Sequence, residues 1–260
     1  MKAVILAGGF GTRISEESEF RPKPMIEIGG KPILWHIMKE YLHYGFDEFI
    51  ICAGYKQEYI KNYFAHYFLQ VSDISFDFRV DNEKDHRYIH ATAYEPWKVT
   101  VVDTGLESLT GRRIKLVRPY IGEETFLMTY GDGVCDVDIG ALVKFHQSHG
   151  KACTITAVKP EGRFGILDLA GDKVQSFREK SQRDVGYING GYMVMEPRIF
   201  DYIQGNVMIE REPMEKLADD GELMAFKHQG FWQCMDTLRD KQKLEKMWES
   251  GNAPWKVWDK

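Results

Sequence analysis

Residues 3–7 are an apolar run, and the chain passes from it directly into Gly8-Gly9-Phe10-Gly11-Thr12-Arg13. A short run that is apolar on both faces suits a strand covered on both sides, as parallel strands between helices are. Glycines placed immediately after it let the backbone approach an anion with no side chain intervening. Successive N–H groups of such a turn form an anion-binding concavity. This stretch therefore constrains the chain to an α/β architecture, with an anion at the carboxyl end of its first strand.

Two commoner glycine motifs do not fit. A Walker loop needs Gly-x-x-x-x-Gly-Lys-Ser/Thr, and a dinucleotide fingerprint needs Gly-x-Gly-x-x-Gly opening a helix. Here Gly11 is followed by Thr12-Arg13-Ile14, and the second cation, Lys23, stands between Pro22 and Pro24, which stiffen the chain around it. Arg13 and Lys23 together read as a device for a nucleoside triphosphate. A glycine turn that merely joins strand to helix is the plain alternative, and the coincidence of strand, cations and prolines weighs against it.

Residues Leu6 to Arg13 with Pro22-Lys23-Pro24 resemble the signature of the nucleotidyltransferases that make nucleotide sugars from a sugar 1-phosphate and a nucleoside triphosphate. The resemblance runs over most of the 260 residues. It implies a Rossmann-like, mixed but mainly parallel sheet flanked by helices. Its nearest form is the branch that uses CTP and glucose 1-phosphate, with CDP-glucose and pyrophosphate as products and Mg2+ as cofactor. UTP or dTTP in place of CTP is one alternative, and a catalytically silent nucleotide-sugar-binding subunit is another. The resemblance also implies a homo-oligomer, hexamer or tetramer, working in lipopolysaccharide O-antigen synthesis. Many relatives continue Arg-Leu-x-Pro-Leu-Thr, whereas this chain has Arg13-Ile14-Ser15-Glu16-Glu17-Ser18.

Composition narrows the partners. A net charge of −5 argues against nucleic acid, which favours a basic face. No apolar run approaches the ~18 residues of a membrane span, and the N-terminus shows no signal-peptide pattern, so a cytoplasmic protein without a membrane partner is expected. Cys52, Cys135, Cys153 and Cys234 lack Cys-x-x-Cys spacing and read as buried free thiols. His86 and His90, and His146 and His149, have metal-compatible spacings but no accompanying carboxylate motif.

Strand-like and helix-like runs alternate: strands at 2–6, 48–53, 99–103, 125–129 and 152–158, helices at about 33–44, 57–68, 112–117 and 139–149. Such alternation predicts parallel strands joined by right-handed crossovers. A hairpin over 165–177, turning at Gly171, is expected to make the sheet mixed. One domain over 1–260 is expected, with a final helix at about 237–248 and an irregular arm at about 70–97. The aromatics of that arm point equally to an oligomer interface and to a hairpin packed on its own core.

The stretch Thr125-Phe-Leu-Met-Thr-Tyr-Gly131-Asp132-Gly133 ends an apolar run in a carboxylate at the sheet's carboxyl edge, which suits hard Mg2+. Asp132 is thereby the leading metal ligand, although the family usually has Gly-Asp-Asn there. The resemblance implies Asp236 as the second ligand and places Trp232 beside the sugar. Where relatives have the aspartate this chain has Cys234, and Asp236 equally suits the cap of the last helix. For the sugar phosphate the resemblance implies Lys180, with Glu179, Asn189 and Gly165 at the sugar. For the nucleotide it implies the segment Leu6, Ala7, Gly8, Gly9, Phe10, Gly11, Thr12 and Arg13, with Lys23 and Gly131, and with Thr104 and Arg112 at the base or ribose. The reaction it implies is in-line attack on the α-phosphorus, in which Arg13, Lys23, Asp132 and Lys180 are the catalytic groups. A metal-dependent glycosyltransferase would want Asp-x-Asp at a strand end; Asp136-Val-Asp138 lies beyond the strand, where a helix opens.

Overall fold

Residues Ala3–Ala7 form a strand, β1, buried at every position. The computed structural model describes residues 1–79, 87–92, 94–160, 165–170, 173–179 and 186–259, with backbone alone at 91–92, 165–170 and 173–179. Six further strands share a sheet with β1: β2 (Glu48–Ala53), β3 (Lys98–Asp103), β4 (Phe126–Tyr130), β5 (Cys153–Val158), β6 (Ile188–Met195) and β7 (Leu223–Lys227). Their order is β7-β5-β6-β4-β1-β2-β3. The pairs β1·β2, β1·β4, β2·β3 and β5·β7 are parallel, and β6 runs antiparallel to both neighbours.

Side chains of β1 alternate between two apolar layers, as a pleated strand demands. Ala3, Ile5 and Ala7 face a layer that holds Ile33, Ile37, Met38 and Tyr41 of helix α1 (Ile33–His43). Val4 and Leu6 face the other, with Ile114 of α3 (Thr110–Leu116). Between these lies α2 (Gln57–Ala65); α4 (Ile139–His149), α5 (Glu212–Asp219) and α6 (Leu238–Glu249) complete the longer helices. The helix expected over 57–68 divides at His66, whose φ of −112° leaves the helical range, and a second turn follows over Tyr67–Val71.

The sheet is mixed for a different reason from the one expected. Gly165–Ala170 and Lys173–Glu179 do pair antiparallel, but as a two-stranded sheet of their own. The turn expected at Gly171 lies outside the described residues. The reversed member of the central sheet is β6, whose Asn189-Gly190-Gly191 start conceals a strand from propensity. In the arm, Ser72–Phe76 and Arg87–Thr92 form a separate antiparallel hairpin with Phe76, Phe78 and Tyr88 exposed. His86 lies outside the described residues, and His90 Nε2 is 2.7 Å from Ser75 Oγ.

His36 ties the first helix to the C-terminal segment. Trp255 Nε1 can only donate, so His36 Nδ1 accepts from it at 3.3 Å, and Nε2 carries the proton donated to Ile28 O at 2.8 Å. Burial pushes the imidazole pKa down to about 4, against the help of its backbone acceptors. Unfolded, the ring takes up its proton near 6.5, so between 6.5 and about 4 the unfolded chain binds more protons and stability rises with pH. Acidification across that window is expected to remove roughly 3 kcal/mol through this one group. Urea midpoints measured from pH 7 to 4 should fall more steeply for the native chain than for His36→Gln.

Candidate active site

The glycine loop leaves β1 and closes on itself at Gly11, where φ is +66° and a side chain would meet the Cβ atoms of Ser18 and Lys23 at 3.1 and 3.2 Å. The unusual Ser15-Glu16-Glu17-Ser18 segment braces this loop. It forms one helical turn, Ser18 Oγ donates to Gly11 O at 3.0 Å, and Glu17 pairs with Lys241 of α6. Pro22 and Pro24 frame a tight 3-10 turn that carries Lys23 inward, so that its residue is only 7% exposed. From the next strand, Gly131 N donates to Leu6 O at 2.9 Å, and a Cβ at Gly131 would lie 2.9 Å from that oxygen. Only glycine lets the end of β4 lie this close to β1, which aims Asp132 at the loop.

Two cavities meet here. The first, about 380 Å3, is lined by Leu6, Ala7, Gly8, Gly9, Phe10, Gly11, Thr12, Arg13, Lys23, Gly131 and Asp132, with the 106–110 segment and Arg113 opposite. The second, about 310 Å3, is lined by Asn189, Gly190, Gly191, Trp232, Cys234 and Asp236, and it shares Arg13, Tyr130 and Asp132 with the first. Lys23 Nζ donates to Asp132 Oδ2 and to Asp236 Oδ1, each at 2.6 Å, and Arg13 reaches Asp236 Oδ2 at 2.6 Å. Burial opposes the charge of Lys23, but the two carboxylates outweigh it and raise its pKa. Burial likewise works against the ionised form of Asp236, and Lys23 and Arg13 overcome it, so that its pKa is lowered. The Asp236 carboxylate is therefore held as an anion where the cavities join.

The last helix is not capped by Asp236. Thr237 is the cap: its Oγ1 accepts from Asp240 N at 3.2 Å, and Asp240 Oδ2 accepts from Thr237 N at 2.9 Å, a reciprocal capping box. Asp236 precedes the cap and faces Lys23. Cys234 stands in the second cavity with Sγ 3.6 Å from Asp236 Oδ2, and burial beside Asp236 and Asp132 pushes its thiol up to about 12. It is a neutral donor to the carboxylate. Trp232 Nε1 donates to Gly190 O at 2.7 Å, closing that wall.

Arg112 is exposed, while its neighbour Arg113 lines the first cavity. In α3 the inner face is set by Ile114, so the position before it turns inward while position 112 turns out. Reading the apolar phase of Ile114 and Val117 would have singled out 113. Arg113 donates to Thr104 Oγ1 at 2.7 Å, Gly105 O at 2.8 Å, Gly8 O at 3.0 Å and Leu106 O at 3.1 Å. Thr104 is itself buried and donates to Ala53 O at 2.7 Å, so it seats this arginine from below. Glu210 carried no motif at all, yet it accepts from Tyr130 at 2.5 Å and from Thr110 at 2.6 Å, linking the walls of the two cavities. Gly165 and Glu179 lie in the small hairpin as backbone, and Lys180 lies outside the described residues.

Other clusters are accounted for locally. His146 and His149 both reach Thr154 Oγ1 at 2.8 Å, and His146 also meets Glu196 at 3.1 Å. Asp138 caps α4 through Ala141 N at 2.8 Å, and Asp136 pairs with His228 at 3.0 Å. All four cysteines are free thiols, three of them buried.

Comparison with known proteins agrees with this geometry. The profile of the Nucleotidyl transferase family matches residues 2–240. The glucose-1-phosphate cytidylyltransferase of Salmonella typhimurium is 56% identical over 261 residues, with 100% of each chain covered. The probable glucose-1-phosphate cytidylyltransferase of Bacillus subtilis is 45% identical over 260 residues, covering 99% of this chain and 100% of that one. Among solved structures, HddC from Yersinia pseudotuberculosis superimposes with a TM-score of 0.68 at 27% identity, covering 95% of this chain and 99% of that one. A UDP-glucose pyrophosphorylase complexed with UDP-glucose shares the fold at a TM-score of 0.68 and 15% identity, covering 96% and 98%. With the loop, the paired cavities and a full-length match in hand, the chain belongs to the nucleotidyltransferase family.

Proposed function

We propose that the chain transfers a cytidylyl group from CTP to glucose 1-phosphate, giving CDP-glucose and pyrophosphate. The observation that carries this reading is the seam between the two cavities, where Lys23, Asp132, Asp236 and Arg13 converge within 2.6 Å contacts. The first cavity suits the nucleotide: a glycine loop whose N–H groups face anions, and Arg13 and Lys23 for the phosphates. The second suits a pyranose, offering the Asn189 amide, the close backbone of Gly190 and the Trp232 face. The names of the 56% and 45% identical relatives support CTP and glucose as base and sugar.

In this reading the sugar phosphate oxygen attacks the α-phosphorus as the bond to the bridging oxygen of the β-phosphate breaks, and pyrophosphate carries away the electron pair. The nucleophile is already an anion at neutral pH, so the protein need only position and neutralise. Arg13 stabilises the triphosphate and its leaving group, Lys23 bridges the reacting phosphates, and Lys180 orients the incoming sugar phosphate. Asp132 and Asp236, hard oxygen donors at the seam, would hold Mg2+. When bound, Mg2+ supplies Lewis-acid polarisation and offsets the charge of the triphosphate.

The exposed aromatics of the 72–92 hairpin support assembly into a homo-oligomer as part of this proposal. Among the described residues no helix is long and apolar enough to cross a membrane. In the same proposal the chain works in the cytoplasm and its product feeds lipopolysaccharide O-antigen synthesis.

The test is pyrophosphate release with glucose 1-phosphate and each of CTP, UTP, dTTP, ATP and GTP in turn. CTP is expected to give the highest kcat/KM. A preference for UTP or dTTP would move the base assignment, and no release with any of the five would leave a silent nucleotide-sugar-binding subunit.

A further inference from the structure

The two carboxylates at the seam are not waiting as a bare pair. One ammonium and one guanidinium stand against them, so the four charges of Lys23, Arg13, Asp132 and Asp236 sum to zero. The Lys23 side chain is only 9% exposed and the Asp236 side chain 15%, so the ammonium fills the space between the carboxylates rather than resting on their solvent side. A divalent cation binds carboxylate oxygens at roughly 2.1 Å. It cannot take these same two oxygens while an ammonium sits 2.6 Å from each.

We propose that Lys23 is a stand-in for the divalent cation, and that the cation binds tightly only once a triphosphate has drawn Lys23 off Asp132 and Asp236. This inference rests on the nucleotidyltransferase reading of the site. Phosphate oxygens entering the glycine loop offer Lys23 new anionic acceptors in the cavity it already lines. As it turns to them, both aspartates are released together, and the incoming cation restores their neutrality. The exchange leaves no buried carboxylate unpaired at any stage, which is the state that costs most. By linkage, nucleotide and cation each raise the affinity of the other by the same factor. The ligand-free protein is thereby folded around an internal cation of its own.

The test uses Mn2+ as the probe and the full chain, with free Mn2+ followed by electron paramagnetic resonance and no nucleotide present. Lys23→Met keeps most of the buried stem and removes the charge, and it is expected to bind Mn2+ at least about tenfold more tightly than the native chain. Lys23→Arg keeps a cation in place and should bind as weakly as the native chain. Adding Asp132→Asn to Lys23→Met should abolish the gain, which locates it at this seam. Mn2+ should also raise the unfolding midpoint of Lys23→Met by several degrees while hardly moving that of the native chain. Binding by Lys23→Met no tighter than native overturns the proposal. So does a Lys23→Met chain that stays unfolded with Mn2+ present, because the cation would then have failed to replace the ammonium. Pyrophosphate release by the native chain is measured in parallel. Turnover without the Mn2+ gain removes the stand-in role and leaves the nucleotidyltransferase reading intact, whereas the gain without turnover removes that reading alone.

Discussion

Alanine at Lys23 is expected to lower kcat for pyrophosphate release by about 10²-fold or more, with the KM for CTP changing much less. The lysine lines the nucleotide cavity and bonds Asp132, which both cavities share, and the proposed displacement would build charge on the leaving oxygen there. An interaction felt mainly in the transition state appears in kcat, whereas one felt equally in the ground state appears in KM. Its backbone is held between Pro22 and Pro24, and the residue is only 7% exposed. Initial rates at saturating glucose 1-phosphate, with CTP varied, measure the split. Near-native kcat in Lys23→Ala would remove the central role given to this residue.

Arg113→Met should act in the opposite sense, with KM for the nucleotide rising tenfold or more and kcat falling less. Arg113 draws together Gly8 of the glycine loop, Thr104 after β3 and the 105–106 segment, all on one side of the nucleotide cavity. Methionine leaves Gly105 O and Leu106 O without this donor, while Gly8 O keeps Tyr55 N at 3.2 Å, for a loss of about 1–3 kcal/mol in stability. Arg113→Lys is not expected to rescue it, because a point ammonium cannot span acceptors that a planar fork reaches at once. Urea unfolding gives the stability change and CTP titration of initial rates gives KM. The close approach of the two groups adds a corollary: a Cβ on Gly8 would lie 2.2 Å from the Arg113 guanidinium, so a side chain at position 8 would displace it.

The nucleotide side of the site was legible because its parts are local. A buried strand, its glycine loop, Arg13 and the proline-flanked Lys23 lie within the first 24 residues and need no tertiary information to be recognised together. Asp132 was legible for a related reason, as a carboxylate at the end of an apolar run. The sugar side was less so. Strand β6 opens Ile188-Asn189-Gly190-Gly191, and Trp232–Cys234 is a three-residue strand held by its pairing with Gly133–Cys135. Such elements are made by their neighbours rather than by their own propensity. Choosing between Arg112 and Arg113 needed the helix phase, and Glu210 needed the fold itself. The ion pairs of Lys23 span separations of 109 and 213 residues, which no spacing rule contains.

The reversed course of β6 fixes how far apart the two substrates can stand. The glycine loop sits where a strand ends, but Asn189 and Gly190 sit where a strand begins, and that strand pairs with β5 from Ile188 to Met195 and with β4 over Met193–Met195. At Gly191, where φ is +87°, a Cβ would press on Tyr130 at 2.7 Å, so this wall is also locked to the one beside it. The two cavities therefore behave as jaws of a fixed gauge rather than as halves of a hinge. A longer sugar phosphate cannot be admitted by spreading the sheet; it must be accommodated by trimming side chains at the rim, and the reacting atoms keep one separation whatever sugar is carried.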